Sequence, residues 1–136
     1  MKNILAFVFL IIVAGCSKEK KQQIAENLVL KAMTDGQWKV TSYDKGGTII
    51  TNDFSSYKFQ FKTNLTVDAI NGGTVEKTGN WSADANSQSI TSTFVGASDP
   101  LIYLNGTWHI TQTTWTSVNA TQTVNGEVRN LQLDKL

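Results

Sequence analysis

The sequence has few of the side chains on which most enzyme and metal sites depend. Its 136 residues include one histidine, one cysteine and one arginine. Any Ser-His-Asp or Cys-His set would need His109. Because His109 alternates with Trp108 and Ile110, we expect it to face solvent, on the side opposite the core. No phosphate-binding loop, metal-ligand spacing or cofactor motif is found. The sequence therefore predicts no enzyme, no metal site and no cofactor.

Excess charge and long apolar runs are also lacking. Twelve basic residues stand against eleven acidic ones, and they form no basic stripe, which argues against a nucleic-acid partner. The one long apolar run, residues 4–13, is far shorter than the roughly 20 residues that a membrane span needs. With a single cysteine no disulfide can form within the chain, so the fold must be held by its core.

The apolar run belongs to a short export signal. It follows Lys2 and ends in Val13-Ala14-Gly15-Cys16, which resembles the lipobox of bacterial lipoproteins. The resemblance implies cleavage before Cys16, a diacylglyceryl group on its thiol, and a protein anchored in the cell outer membrane, on the periplasmic face or the cell surface. The mature chain would carry eleven basic and eleven acidic residues, since the signal contains Lys2. The alternative is an ordinary signal peptide whose cut happens to lie near Cys16.

Three segments follow from this signal. Residues 1–15 form the signal peptide, the polar residues 16–23 suit a tether behind the lipidated cysteine, and residues 24–136 form the domain. Ile24, Leu28 and Ala32 recur at helical spacing, which predicts a short helix over 24–33 that ends at Asp35-Gly36. A helix of this length is marginal alone, so we expect it to pack on the domain or to cover one end of it.

Beyond Gly36 the apolar period changes to two. Alternating runs and turn pairs such as Asn105-Gly106 and Asn125-Gly126 predict an all-β domain of about eight short antiparallel strands, in a sandwich or a barrel. We place these strands near residues 37–43, 57–62, 65–70, 74–82, 88–95, 107–113, 115–122 and 127–134.

Parity makes one hairpin specific. A three-residue turn at 71–73 pairs Val67 with Lys77 and keeps both on the inner face, whereas a two-residue turn places Val67 against Glu76. We therefore expect the longer turn, with Val75 also inside. Asp68 then opposes Glu76 on the outer face, where the two are a tolerated exposed pair, catalytic carboxylates or a cation site.

Lys77 is the charged residue that this pairing places inside. A lone ammonium there must be solvated, paired or bound to a ligand's anionic group. The sequence leaves two readings open, a lysine that reaches water at an open strand end and a lysine that meets an acidic ligand in a barrel mouth.

Three Gly-x-Trp sites give the domain its family resemblance. They place Trp38, Trp81 and Trp108 two residues after a glycine at or near a strand start, which is typical of core tryptophans. The first, Gly36-Gln37-Trp38-Lys39-Val40 behind a short helix, resembles the opening of the lipocalins, and the domain is similar to lipocalin-like lipoproteins of Gram-negative bacteria. That resemblance implies a small up-and-down barrel. It also implies that a basic residue of the last strand, here Arg129, packs across the Trp38 indole.

The function expected from this fold is binding. An eight-stranded barrel holds one small ligand or is filled by side chains, and Trp38, Trp81, Trp108, Phe59, Phe61 and Phe94 would occupy much of the interior. We expect a lipid-anchored, non-enzymatic protein that binds a small, largely apolar molecule or an envelope partner, with Lys77, Trp81, Trp38 and Arg129 as candidate ligand-binding residues. The alternative is a structural or interaction lipoprotein with a filled core. Cavity volume separates the two.

Overall fold

Eight antiparallel strands close into a barrel, and a ninth short strand is added to its first hairpin. The computed structural model describes residues 27–136, so the predicted signal peptide, Cys16 and the tether lie outside the described residues. The strands are β1 (Trp38–Lys45), β2 (Thr48–Ile49), β3 (Tyr57–Phe61), β4 (Thr66–Asn71), β5 (Thr74–Asp84), β6 (Ser89–Thr93), β7 (Gly106–Thr113), β8 (Ser117–Val124) and β9 (Glu127–Lys135). The predicted all-β barrel is confirmed.

Apart from the short β2, each strand pairs with the barrel strand that precedes or follows it in the chain, as an up-and-down order requires. The sheet order is β2-β1-β3-β4-β5-β6-β7-β8-β9, and β1 also pairs with β9, which closes the barrel. At this seam Trp38 pairs with Lys135 and Val40 with Leu133. The alternation of buried and exposed residues along β5 and β8 shows that apolar side chains point inward.

The predicted helix is present at residues 27–34, and we label this described part α1. Met33 on α1 is buried and belongs to the core, so the helix packs on the barrel as expected. Two short 3₁₀ helices, Thr51–Phe54 and Leu101–Leu104, were not predicted. Across residues 27–136 no helix has the length and apolar composition to cross a membrane.

The barrel has two distinct ends. We call the one with α1 the helix end, and the turns 61–66, 84–89 and 113–117 lie there with the last residues of β9. The other, the far end, carries the turns 45–48, 71–74 and 124–127 and both 3₁₀ helices. Phe54, Leu101 and Leu104 are buried in the core beneath these 3₁₀ helices, so the far end is plugged by side chains.

The predicted turn between β4 and β5 is wrong, although the inner face follows largely as expected. Asn71 pairs with Thr74, so the turn has two residues, Gly72 and Gly73, with φ of 59° and 87°. A β-bulge at Glu76 then shifts the register, and Ala69 pairs with Lys77 while Val67 pairs with Gly79. Because the bulge adds one residue to β5, Lys77 and the residues after it return to the faces predicted for them, which a two-residue turn alone would have reversed.

Candidate functional site

Trp38 fixes the helix to the barrel. Its indole is fully buried, and Nε1 donates a hydrogen bond to the carbonyl oxygen of Met33 at 2.9 Å. The Lys135 ammonium lies 5.1 Å from the centre of the ring. A basic residue of the last strand thus covers the Gly-x-Trp indole, but it is Lys135. The predicted contact between Arg129 and Trp38 is wrong, because the β1–β9 register pairs Arg129 with Lys45.

Trp81 and Trp108 are core residues in the same manner. Their indole Nε1 atoms donate to the carbonyl oxygens of Lys62 at 3.1 Å and Leu104 at 3.0 Å. Trp81 also meets Phe61 edge to face, with ring centres 5.3 Å apart. Each indole therefore ties a strand to a neighbouring backbone segment. The six aromatic residues expected inside the barrel are all buried.

Arg129 belongs to a charged network that closes the far end. Its Nε donates to Glu127 Oε1 at 2.7 Å, and its guanidinium carbon lies 5.5 Å from the centre of the Tyr103 ring. Lys45 approaches the same ring at 4.9 Å and pairs with Glu127 at 3.3 Å. Two cations thus hold Tyr103, and with it the second 3₁₀ helix, over the far end.

Tyr43 anchors that segment from inside. Its hydroxyl donates to the carbonyl oxygen of Tyr103 at 2.5 Å. Burial raises the pKa of Tyr43 to about 12, although the Arg129 guanidinium opposes the shift. The hydroxyl therefore stays protonated, and donates this bond, throughout the neutral range.

Lys77 lies on the inner face, as the parity argument predicted, but its ammonium is hydrogen-bonded to the backbone of the barrel. Its ammonium donates to the carbonyl oxygen of Val95 at 2.9 Å, and the side chain is half-buried at the far end. Val75, expected beside it inside, is half exposed because the bulge turns it outward. The four candidate ligand-binding residues are therefore divided. Trp38 and Trp81 lie toward the helix end, whereas Lys77 and Arg129 lie at the far end.

The outer carboxylates Asp68 and Glu76 do not face each other, so the expected pair is wrong. Asp68 pairs with Thr78 and accepts hydrogen bonds from the Thr78 hydroxyl and the Lys62 ammonium, each at 2.7 Å. Glu76 accepts from the Tyr57 hydroxyl at 2.7 Å and from Asn71 at 3.0 Å. Within residues 27–136 no three His, Cys, Asp or Glu side chains are grouped to hold a metal.

Asp68 gives a testable pH dependence. The hydrogen bonds from Lys62 and Thr78 lower its pKa below the ordinary 3.8, so its contribution to stability is present above that value and is lost as pH falls through the lowered pKa. We expect Asp68→Asn to cost on the order of 1 kcal/mol at neutral pH and progressively less in acid. Asp53→Asn, at an exposed site, is the control. Urea unfolding between pH 7 and pH 2 measures both, and a pH-independent difference would contradict the prediction.

A cleft of about 350 Å³ opens at the helix end, and we call it the helix-end cleft. It lies between α1, the β5–β6 hairpin and the β7–β8 hairpin. Its apolar lining comprises Val29, Ala32, Met33, Trp38, Ala83, Ala85, Ile90, Ile110 and Val118, and its polar lining comprises Asp84, Gln88, Ser89, Thr111, Gln112, Thr113 and Thr114. Of the four candidate residues, Trp38 alone contributes to it.

The barrel interior beneath this cleft is nearly full. A cavity of about 50 Å³ remains, lined in part by Phe59, Phe94 and Trp108. Met33, Ile90, Ile110 and Val118 line both spaces, so these side chains form the wall between the cleft and the cavity. The ligand-sized space is therefore at the mouth rather than within the barrel.

Two other hollows lie on the outside of the barrel. One, of about 340 Å³, lies beside β1 and β3 and is lined by Thr41, Thr51, Ser55 and Ser56 among others. The second, of about 650 Å³, lies between the turn at Gly46-Gly47 and the turn at Asn125-Gly126. The walls of both are about as polar as they are apolar, whereas the wall of the helix-end cleft is mainly apolar and adjoins the core.

The sequence alone did not reveal the helix-end cleft. Its lining residues lie in separate strands and have the pattern of ordinary core positions. The one sequence feature that pointed to this end of the barrel was the helix predicted to cover an end of the domain. Lys77 and Arg129 were proposed as ligand-binding residues for their charge, but both are bonded to other residues of the barrel.

Comparison with known proteins supports the fold. The sequence matches no protein-family model and no curated protein. Among solved structures, a DUF4847 family protein from Bacteroides vulgatus matches with a TM-score of 0.55 at 12% identity, over 78% of this chain and 96% of that one. A lipocalin-like protein from Bacteroides uniformis matches with a TM-score of 0.54 at 18% identity, over 76% of this chain and 98% of that one. The chain therefore has a lipocalin-like barrel fold, to which it adds the short N-terminal helix α1.

Proposed function

We propose that this protein is a lipid-anchored, non-enzymatic binding protein of the bacterial outer membrane that holds a small, largely apolar molecule in the helix-end cleft. The observation that carries the proposal is the cleft itself. Its volume of about 350 Å³ falls within the range of small-molecule sites, which runs from about 300 to 1,000 Å³. The lipobox at residues 13–16 supports the anchor.

The walls of the cleft indicate an uncharged head group. Among residues 27–136 its lining has one acidic side chain, Asp84, and no basic one. Asp84 accepts hydrogen bonds from the backbone N–H of Asn86 at 2.9 Å and remains exposed. A ligand carboxylate here would lose hydration and meet a like charge, which is unfavourable. Hydroxyl and amide groups of Gln88, Thr111 and Gln112 suit an alcohol, ester or amide. An acidic ligand, one of the two alternatives left open for Lys77, is therefore not the ligand that we propose for this cleft.

A matched pair of probes tests this proposal. A long-chain alcohol and the fatty acid of the same chain length differ in head group alone, and Trp38 in the cleft wall reports binding by its emission. We expect the alcohol to bind and the acid to bind at least about tenfold more weakly, a difference of about 1.4 kcal/mol. Equal binding would contradict the head-group assignment while leaving the cleft as the site.

Variants locate the site. Ala32→Phe adds a ring from α1 into the cleft and is expected to weaken alcohol binding by at least about tenfold, or about 1.4 kcal/mol. Lys77→Met, at the far end, is the control and should leave binding unchanged. Native mass spectrometry of the protein purified from its own host would identify the natural ligand.

The alternative function is a structural or interaction lipoprotein, and the nearly full interior favours it. A cavity of about 50 Å³ is far below ligand size. If neither probe binds and the native protein carries no ligand, we expect the protein to act through the outer surface of its barrel.

A further inference from the structure

The wall between the helix-end cleft and the interior cavity consists of four apolar side chains, which differ in how freely they move. Ile90, Ile110 and Val118 belong to β6, β7 and β8, whereas Met33 belongs to α1. All four line the cleft on one side and the cavity on the other. They therefore determine how far a molecule in the cleft extends into the barrel.

The three wall residues on strands are stiff. Ile90, Ile110 and Val118 are branched at Cβ, which restricts rotation about χ1. Their strands are paired with a neighbour on both sides within the closed barrel, so their backbone is fixed by the sheet. This part of the wall keeps its shape when a ligand enters the cleft.

Met33 is the adjustable part of the wall. Its side chain is unbranched, has three rotatable bonds and fits irregular spaces, although it is only 2% exposed here. Its backbone is held in place, because its carbonyl oxygen accepts the hydrogen bond from Trp38 Nε1 at 2.9 Å. The thioether is therefore free to change rotamer while α1 stays on the barrel.

The cavity behind Met33 suits the end of an apolar chain. The polar side-chain groups in its lining, the Ser92 hydroxyl and the Trp108 indole, both donate to the Leu104 carbonyl oxygen, at 2.5 Å and 3.0 Å. A buried water needs two to four polar partners, so this space favours hydrocarbon over water. Its volume of about 50 Å³ is well below the roughly 150 Å³ of a cavity that holds benzene. It therefore takes the tip of a chain rather than a separate molecule.

We infer that Met33 is a chain-length gate, whose side chain turns aside to let the end of a straight apolar chain pass from the helix-end cleft into the interior cavity. The inference rests on the proposed binding of an apolar molecule in the cleft. It makes Met33 the residue that determines the longest ligand accepted. It also assigns the ligand an unbranched chain, because a ring or a branch would meet the three stiff side chains.

The affinities of a short and a long straight-chain alcohol test the gate. Burying one further methylene tightens binding about fourfold, so the ratio of the tetradecanol affinity to the octanol affinity reports how much of the chain is buried. Tryptophan emission measures both affinities. We expect Met33→Ala to raise this ratio at least about fourfold, because it opens the wall. Met33→Ile makes the fourth wall residue β-branched at similar volume, and it should lower the ratio at least about fourfold.

Val29→Ala is the matched control. Val29 also lies on α1 and lines the cleft, but it does not line the cavity. Its truncation should weaken the binding of both alcohols by the same factor and leave their ratio unchanged. A shift in the ratio as large as that of the Met33 variants would overturn the inference, since the whole cleft would then sense chain length.

The remaining outcomes separate the gate from the site. A parent ratio near one, or a ratio that Met33→Ile leaves unchanged, would overturn the gate while leaving the cleft as the binding site. Met33→Ile conserves side-chain volume, so it decides the question even if Met33→Ala does not fold. If neither alcohol binds the parent protein, the proposed function and the gate are overturned together.

Discussion

Replacing Trp38 by alanine is expected to lower the free energy of unfolding by roughly 3–5 kcal/mol, as large aromatic truncations in cores do. The indole is fully buried, and its loss removes the hydrogen bond to the Met33 carbonyl and the contact with Lys135. The change therefore detaches α1 and weakens the β1–β9 seam at once. Because about 1 kcal/mol shifts the midpoint of a domain near this size by roughly 4–8 °C, we expect a fall of more than about 10 °C.

Trp115→Ala is the matched control for this prediction. It removes the same side chain from an exposed turn and should change stability by no more than about 0.5 kcal/mol. Trp38→Phe keeps most of the apolar ring and loses the N–H donor, so its effect should fall between the two. Thermal unfolding followed by near-ultraviolet circular dichroism measures all three. An unchanged midpoint in Trp38→Ala would show that the indole does not support the barrel.

The second large effect is expected at Gly79 on β5. A Cβ atom there would lie 2.5 Å from the carbonyl oxygen of Thr93 and 2.8 Å from the ring of Phe94. A Cβ atom does not approach an oxygen or a ring carbon so closely, so β6 and the Phe94 ring must move. We expect Gly79→Ala to cost about 1–3 kcal/mol through overpacking alone. Urea unfolding provides the measurement.

Asn80→Ala is the control for Gly79. It changes the next residue of the same strand on its exposed face and should stay within about 0.5 kcal/mol of the parent. If Gly79→Ala is equally mild, the packing of β5 against β6 must be looser than these distances imply.

Most of the fold could be predicted from the sequence, because a single local pattern of residues determines it. Alternation of apolar and polar residues set the strands to within a few residues, and glycine and asparagine pairs set the turns between them. The bulge at Glu76 could not be predicted from this alternation. A bulge is stabilised by backbone geometry, so its extra residue carries no sequence pattern of its own. The parity argument consequently predicted the face of Lys77 correctly but the length of the turn wrongly.

The candidate site depends on contacts that no local pattern encodes. Whether Arg129 or Lys135 covers Trp38 is decided by the pairing of β9 with β1, far apart in the chain, and both residues fit a basic position on the last strand. The helix-end cleft is likewise assembled from α1 and two separate hairpins. Its members Ala32, Ile90 and Ile110 are typical core residues, and the space between them appears once the helix is placed.

The seam between β1 and β9 has a consequence for how the domain folds. Thr41 and Asp134, which are hydrogen-bonded across it, are 93 residues apart in the chain. Contacts of such long range carry a large loop-closure cost and slow folding. During synthesis β1 is made before the other strands, and it cannot pair with β9 until the chain is nearly complete. Until then β1 and β8 both present open hydrogen-bonding edges. Such edges are templates for intermolecular pairing. A chain that stops before β9 is therefore an aggregation hazard rather than a smaller barrel.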